Sequence, residues 1–282
     1  MRVHHLNFAT LNPRGGRLWD GGEHAWYQRA TLACHGLLIE CATGLVLVDT
    51  GLGTRAVTDS QWLGTGWTKV WNPQLDSTTT ARAQVVALGY SPDDVRDIIV
   101  THADLDHTGG LADFPAATVH ISTDELDALT HPSTLAERNR YRPCQFGHQP
   151  RWRAHNADGA AEWRGFTAVR EIEGLPAEIL MIPLAGHSRG HTGVAVDTGT
   201  GWLLHAGDAY YADTQLASPP SCPAGIKVFQ ILGQADGTRR QANLAALRNL
   251  AAEKADPVTI FSSHSHAEFV RHSRRDLHPF GQ

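Results

Sequence analysis

Cysteine is scarce in this chain of 282 residues, and the four present (Cys34, Cys41, Cys144 and Cys222) form no C-x-x-C pair. That spacing argues against a zinc ribbon and against a thioredoxin-type redox motif. In a reducing compartment these are most simply free thiols, with Cys34 and Cys41 as small core residues of strands. No apolar run approaches the roughly 20 residues of a membrane span. Positive charge is not in excess either: the formal net charge is −5, which gives no reason to expect nucleic acid or an anionic membrane as a partner. The first residues lack the apolar stretch of a secretory signal, so the expected location is cytoplasmic. Internal repeats are absent, and no composition shift marks a linker. With 41% hydrophobic and 19% charged residues, the expectation is one globular domain over 1–282, large enough for a substantial core.

Histidine is what the chain has in abundance. There are 17, and several stand in tight groups at 102/107, 187/191 and 264/266. Clustered histidine in an acidic chain points to a metal. The densest stretch runs Thr101-His102-Ala103-Asp104-Leu105-Asp106-His107-Thr108-Gly109-Gly110. It follows Val95–Val100, which reads as a buried strand. The strand fixes the backbone, the loop aims imidazoles and carboxylates at one point, and Gly109-Gly110 allows a close turn around whatever is bound.

Other strand ends carry similar groups. Residues 31–40 and 44–51 read as strands, the second central and ending at Asp49, whose buried carboxylate needs a partner. Strands at 117–121, 178–182, 192–197, 202–205 and 257–262 follow. The fourth ligand-bearing turn is reached last: His187, Asp208 and His264 each follow a predicted strand, with His266 as a rival to His264. Seven candidates (His102, Asp104, Asp106, His107, His187, Asp208 and His264) suit two metals ~3.5–4 Å apart that share a carboxylate.

Helices are expected over 78–88, stopped by Gly89, from the Ser91-Pro92 start, after Ser122, and over 241–254. Residues 1–30 read as irregular, 54–75 as a long Trp-bearing connection, and 217–237 as loop. The segment 131–165, with arginines at 138, 140, 142, 151, 153 and 164 and with Tyr141, Trp152 and Trp163, reads as an insertion. It is either a solvated excursion or a wall over the site that favours an anionic small-molecule substrate.

The motifs resemble those of the metallo-β-lactamase superfamily hydrolases. His102-Ala103-Asp104-Leu105-Asp106-His107 is similar to that family's H-x-H-x-D-H except at Asp104. Pro183 through His191 matches P-x-x-G-H-x-x-G-H, and Val48-Asp49-Thr50-Gly51, Gly207-Asp208 and Ser263-His264 follow in the family's order. Leu88 through Val95 resembles the lactonase-like branch. The resemblance implies an α/β fold, a four-layer αββα sandwich of two mixed β-sheets flanked by helices. It implies one metal at His102, Asp104 and His187, a second at Asp106, His107 and His264, and Asp208 bridging both. Asp49 would support a ligand histidine, and His191 would not be a ligand.

Two divalent ions are implied, zinc first, with manganese or iron admitted by the harder Asp104. The implied reaction is hydrolysis of a lactone, ester or related acyl bond by a metal-activated hydroxide, with β-lactamase or phosphoester hydrolase activity in the same class. Asp106 would orient the water or take its proton, and Tyr211 would hydrogen-bond the substrate carbonyl, with Tyr210 its rival. The alternatives are a diiron oxidoreductase of the same fold and a weakly catalytic metal-binding protein. The sequence leaves oligomeric state open.

Overall fold

The computed structural model describes residues 1–22, 24–156 and 161–276. Its strands are β1 (Arg2–Leu11), β2 (Leu32–Cys41), β3 (Gly44–Val48), β4 (Pro73–Gln74), β5 (Val95–Ile99), β6 (Thr118–Ser122), β7 (Arg151–His155), β8 (Ala161–Trp163), β9 (Phe166–Glu171), β10 (Ile179–Pro183), β11 (Thr192–Asp197), β12 (Trp202–His205) and β13 (Val258–Phe261). They form a seven-stranded sheet in the order β4-β1-β2-β3-β5-β6-β7 and a six-stranded sheet in the order β13-β12-β11-β10-β9-β8. Both sheets are mixed: β3, β5, β6 and β7 run parallel while β1, β2 and β3 alternate. In the second sheet β12 and β13 are parallel and the rest antiparallel.

Period-two alternation explains the layering. Leu37, Ile39, Val46, Val48 and Ile99 of the first sheet pack against Ile179, Met181, Val194, Val196 and Phe261 of the second. The residues between them point the other way. Leu38, Leu45, Leu47 and Ile98 meet Ala81 and Val85 of the helix Ala81–Ala87. On the far side Ala195 and Leu204 meet Leu244, Leu247 and Leu250 of the helix Gly237–Ala252. Apolar burial on both faces of each sheet thus yields four layers, helix–sheet–sheet–helix. Among the described residues no helix is long and apolar enough to cross a membrane.

The strand directions matter for function. β3, β5 and β6 all end at one edge of the first sheet, and β10, β12 and β13 end at the facing edge of the second. Every candidate ligand lies in a loop or short helical turn leaving one of those ends.

Several expectations are corrected. Residues 2–11 are a full strand, because the register shift between Asn7 and Thr10 and the buried histidines His4 and His5 disguise the alternation. The 54–75 connection holds the helices Gly53–Thr58 and Thr65–Trp71 and a 3-10 turn, Ser60–Leu63. Residues 224–233 are helical; Pro223 sits just ahead of the first turn, where it starts a helix rather than breaking one. The 131–165 segment, of which 157–160 lie outside the described residues, carries regular structure at the edge of the first sheet. It contributes the helix Leu135–Arg140 and β7, whose Arg-rich alternation suits an edge strand.

Candidate metal centre

Asp49 follows β3 with φ +61°, a left-handed conformation that aspartate tolerates better than most residues. Its buried carboxylate accepts three hydrogen bonds: from Thr101 N (2.8 Å), Thr101 Oγ1 (2.9 Å) and His107 Nδ1 (2.8 Å). Since the Thr101 hydroxyl donates to Asp49, it accepts from His102 Nδ1 at 3.0 Å. One carboxylate therefore sets two imidazoles with the proton on Nδ1 and the Nε2 lone pair free. His264 Nδ1 donates to Ala33 O at 2.7 Å and leaves Nε2 free in the same way.

Those lone pairs converge. His107 Nε2 is 3.3 Å from Asp208 Oδ1, and His264 Nε2 is 3.2 Å from Asp208 Oδ2 and 3.5 Å from Asp106 Oδ2. On the other side of Asp208, His102 Nε2 and His187 Nε2 lie 3.3 and 3.2 Å from Asp104 Oδ2, and His187 Nε2 lies 3.5 Å from Asp208 Oδ2. A tetrahedral ion with bonds of about 2.1 Å holds its ligands about 3.4 Å apart, which these spacings match. His102 Nε2, His107 Nε2 and Asp208 Oδ1 are buried and have no protein hydrogen-bond partner. Such atoms are costly to leave unmet, and a cation among them would satisfy all three. The donor spacings suit two adjoining cation positions around Asp208.

The electrostatics agree with a site built for positive charge. Burial disfavours the His107 cation, yet the carboxylates of Asp208 and Asp49 outweigh it and raise its pKa well above the usual range. His264 is raised too, against burial, by Asp208. Burial opposes ionisation of Asp208, but His264 and His107 hold its pKa well below that of an ordinary carboxylate. Tyr211, buried beside Asp208 and donating to its Oδ2 at 2.6 Å, is pushed well up by burial and then by that carboxylate.

The remaining candidates fall as follows. His191 donates Nδ1 to Leu184 O (3.1 Å) and accepts Asp208 N at Nε2 (2.9 Å), so it positions the Asp208 backbone with both nitrogens engaged. His266 starts the helix His266–Asp276 and belongs to none of the clusters found among the described residues, whereas His264 does. Tyr210 donates to Glu268 (2.8 Å), away from the clusters. Gly109 and Gly110 have ordinary backbone angles. Their small size serves the 50–53 loop instead: a Cβ on either would stand 2.5 Å from Leu52 O or Thr50 O.

Three contributors escaped the sequence. Glu125, wholly buried on the helix after β6, accepts from Ala103 N (2.9 Å), Tyr141 Oη (3.0 Å), Ser188 Oγ (2.6 Å) and Gly190 N (3.0 Å). It ties the His102 loop to the His187 loop. Its position three residues after Ser122 suggests only a helix cap. Cys34 lies with Asp106 and His264 as a third donor at the second position; burial, then Asp106, raises its thiol pKa. Arg140 binds Asp104 through both oxygens, Nε to Oδ1 at 2.6 Å and Nη2 to Oδ2 at 2.7 Å. Its charge holds Asp104 well below the usual carboxylate range despite burial, while burial and then Arg140 press His187 down to about 3.

The centre opens into a cavity of about 750 Å³ whose far wall carries Trp67, Trp71 and Phe229. The arginines of this wall are engaged: Arg142 donates to Trp62 O, and Arg189 to Glu137 and Asp127.

Comparison with known proteins places the family and the fold. The Metallo-beta-lactamase superfamily profile matches residues 31–264. A probable metallo-hydrolase of Mycobacterium tuberculosis is 41% identical over 75% of this chain, and the chain spans 63% of that relative's length. An N-acyl homoserine lactonase of Agrobacterium fabrum is 32% identical over 35% of the chain and 38% of its own length. Among solved structures, an N-acyl homoserine lactone hydrolase with product at its catalytic metal centre superposes with a TM-score of 0.70 over 95% of both chains at 19% identity. The dizinc lactonase AidC superposes at 0.62, with 94% of this chain and 87% of its own covered, also at 19%.

Proposed function

The chain belongs to the metallo-β-lactamase superfamily, and on that premise we propose that it is a metal-dependent hydrolase of lactones, esters or related acyl compounds. The observation that carries the proposal is the convergence of His102, His107 and His264, each with Nε2 bare, on the carboxylate of Asp208. His102, Asp104 and His187 would make one metal position, and Asp106, His107 and His264 the other, with Asp208 between them. A divalent ion bound here, zinc first and manganese or iron next, would acidify water toward neutral pH and polarise an acyl oxygen.

The chain's own groups do the rest. Asp106, a mostly buried carboxylate lining the cavity, orients the attacking water and accepts its proton. Tyr211 keeps its proton at working pH and, by turning its O–H away from Asp208, donates a hydrogen bond to the acyl oxygen. Trp67, Trp71 and Phe229 provide an apolar wall for an acyl chain. Arg142, which donates to the neutral Trp62 carbonyl, favours a substrate or product with negative charge through its field, whereas Arg189 is neutralised by Glu137 and Asp127. The lactonases among the relatives support an acyl substrate of this kind.

The test is turnover of a panel of N-acyl homoserine lactones, simple lactones, aryl esters, β-lactams and phosphotriesters. Protein stripped by chelator and reloaded with zinc or manganese should recover activity on the lactone or ester members. Absence of metal-restored turnover on every compound would defeat the proposal.

A further inference from the structure

Asp104 and Arg140 depart together from a simple two-metal plan. Asp104 stands at the N-cap position of the short helix Leu105–Thr108, yet its carboxylate makes no capping bond. It faces Arg140, the last residue of the helix Leu135–Arg140. All five N–H groups of the guanidinium are used. Nε and one Nη2 hydrogen take the two oxygens of Asp104. Nη1 donates to His187 O (2.9 Å) and Gly233 O (2.8 Å). The remaining Nη2 hydrogen meets His187 Nε2. A guanidinium with every donor satisfied, mostly buried and anchored to three separate segments, is a fixed part of the site rather than a rim charge.

The two occupants exclude each other. His187 Nε2 has one lone pair, which serves either a metal or Arg140. Each oxygen of Asp104 accepts one N–H of Arg140 and keeps a second lone pair, so the exclusion falls on His187. The neighbouring position has no such competitor: His107 Nε2 and Asp208 Oδ1 are unpartnered, and so is His102 Nε2, which groups with them. We therefore propose that Arg140 stands in for the first metal, so that the centre takes a single divalent ion, among Asp106, His107, Asp208 and His264.

This rests on the metallo-hydrolase reading, and the test separates the two. Chelator-stripped protein is titrated with Zn²⁺ by calorimetry, and bound zinc is counted by elemental analysis after gel filtration. The wild-type chain should bind one equivalent, and Arg140→Ala two. Asp104→His, which deprives Arg140 of its carboxylate and adds an imidazole, should also bind two and serves if Arg140→Ala does not fold. Mn²⁺-loaded samples should show the spin-coupled signal of an ion pair only in the variants. Two equivalents in the wild-type chain would overturn the substitution by Arg140 and leave the hydrolase reading standing, as would one equivalent in both variants. No zinc in the wild-type chain would overturn both.

Discussion

Asp49→Asn exchanges one oxygen for an amide NH₂ at the root of the centre, and its consequences follow atom by atom. Asparagine accepts the left-handed backbone at position 49 as well as aspartate does, so no strain is added. Its oxygen can still accept Thr101 N. The NH₂ then replaces Oδ2, which in the wild type accepts from both Thr101 Oγ1 and His107 Nδ1. A donor facing a donor forces His107 to move its proton to Nε2, into the metal position. The Thr101 hydroxyl must turn to accept, which forces His102 to invert in the same way.

Because these flips re-form the hydrogen bonds, the loss falls on metal affinity more than on the fold. Changes to groups that orient ligand histidines cost about 10–100-fold in affinity, or about 1.4–2.7 kcal/mol. Competition with a chromophoric chelator measures the Zn²⁺ dissociation constant, and imidazole ¹⁵N shifts report the tautomers. Zinc binding within twofold of wild type, or unchanged tautomers, would refute the reasoning.

Glu125→Ala should cost at least about 3 kcal/mol of unfolding free energy, since four buried donors lose their acceptor at about 1–3 kcal/mol each before relaxation; urea denaturation showing a loss under 1 kcal/mol would contradict this. Tyr211→Phe should retain metal but lower kcat by about 100-fold, the usual scale for a donor to a developing oxyanion, and an unchanged kcat would remove Tyr211 from the reaction. Glu137 is held down to about 2 from 4.5, chiefly by its hydrogen bonds to Arg189. A lowered carboxylate pKa contributes stability that is complete above about pH 4.5 and lost as pH falls through about 2. Solvent screening at this rim brings the contribution to about 1 kcal/mol. The stability gap between wild type and Arg189→Ala should therefore close between pH 4.5 and 2, and a constant gap would exclude this origin.

The layered core was legible in the sequence wherever apolar residues alternate or run together, as in Leu37–Ile39 and Leu45–Val48. It was hidden where histidine replaces an apolar residue in β1, and where β7 alternates arginine with aromatic and small residues. The ligand candidates were legible because metal chemistry needs particular side chains at strand ends, and local order in the chain keeps His102 through His107 on one loop. What only the tertiary structure decided is how those side chains are held and charged. Asp49 governs His102 and His107 from 52 or more residues away, Glu125 joins two loops as a shared acceptor, and Arg140 reaches Asp104 from a helix that reads as part of an insertion. A hydrogen bond between distant residues leaves no periodicity in the chain. Its partners become identifiable only when packing of the two sheets brings their ends to one edge and burial obliges every polar atom there to find a partner or a cation.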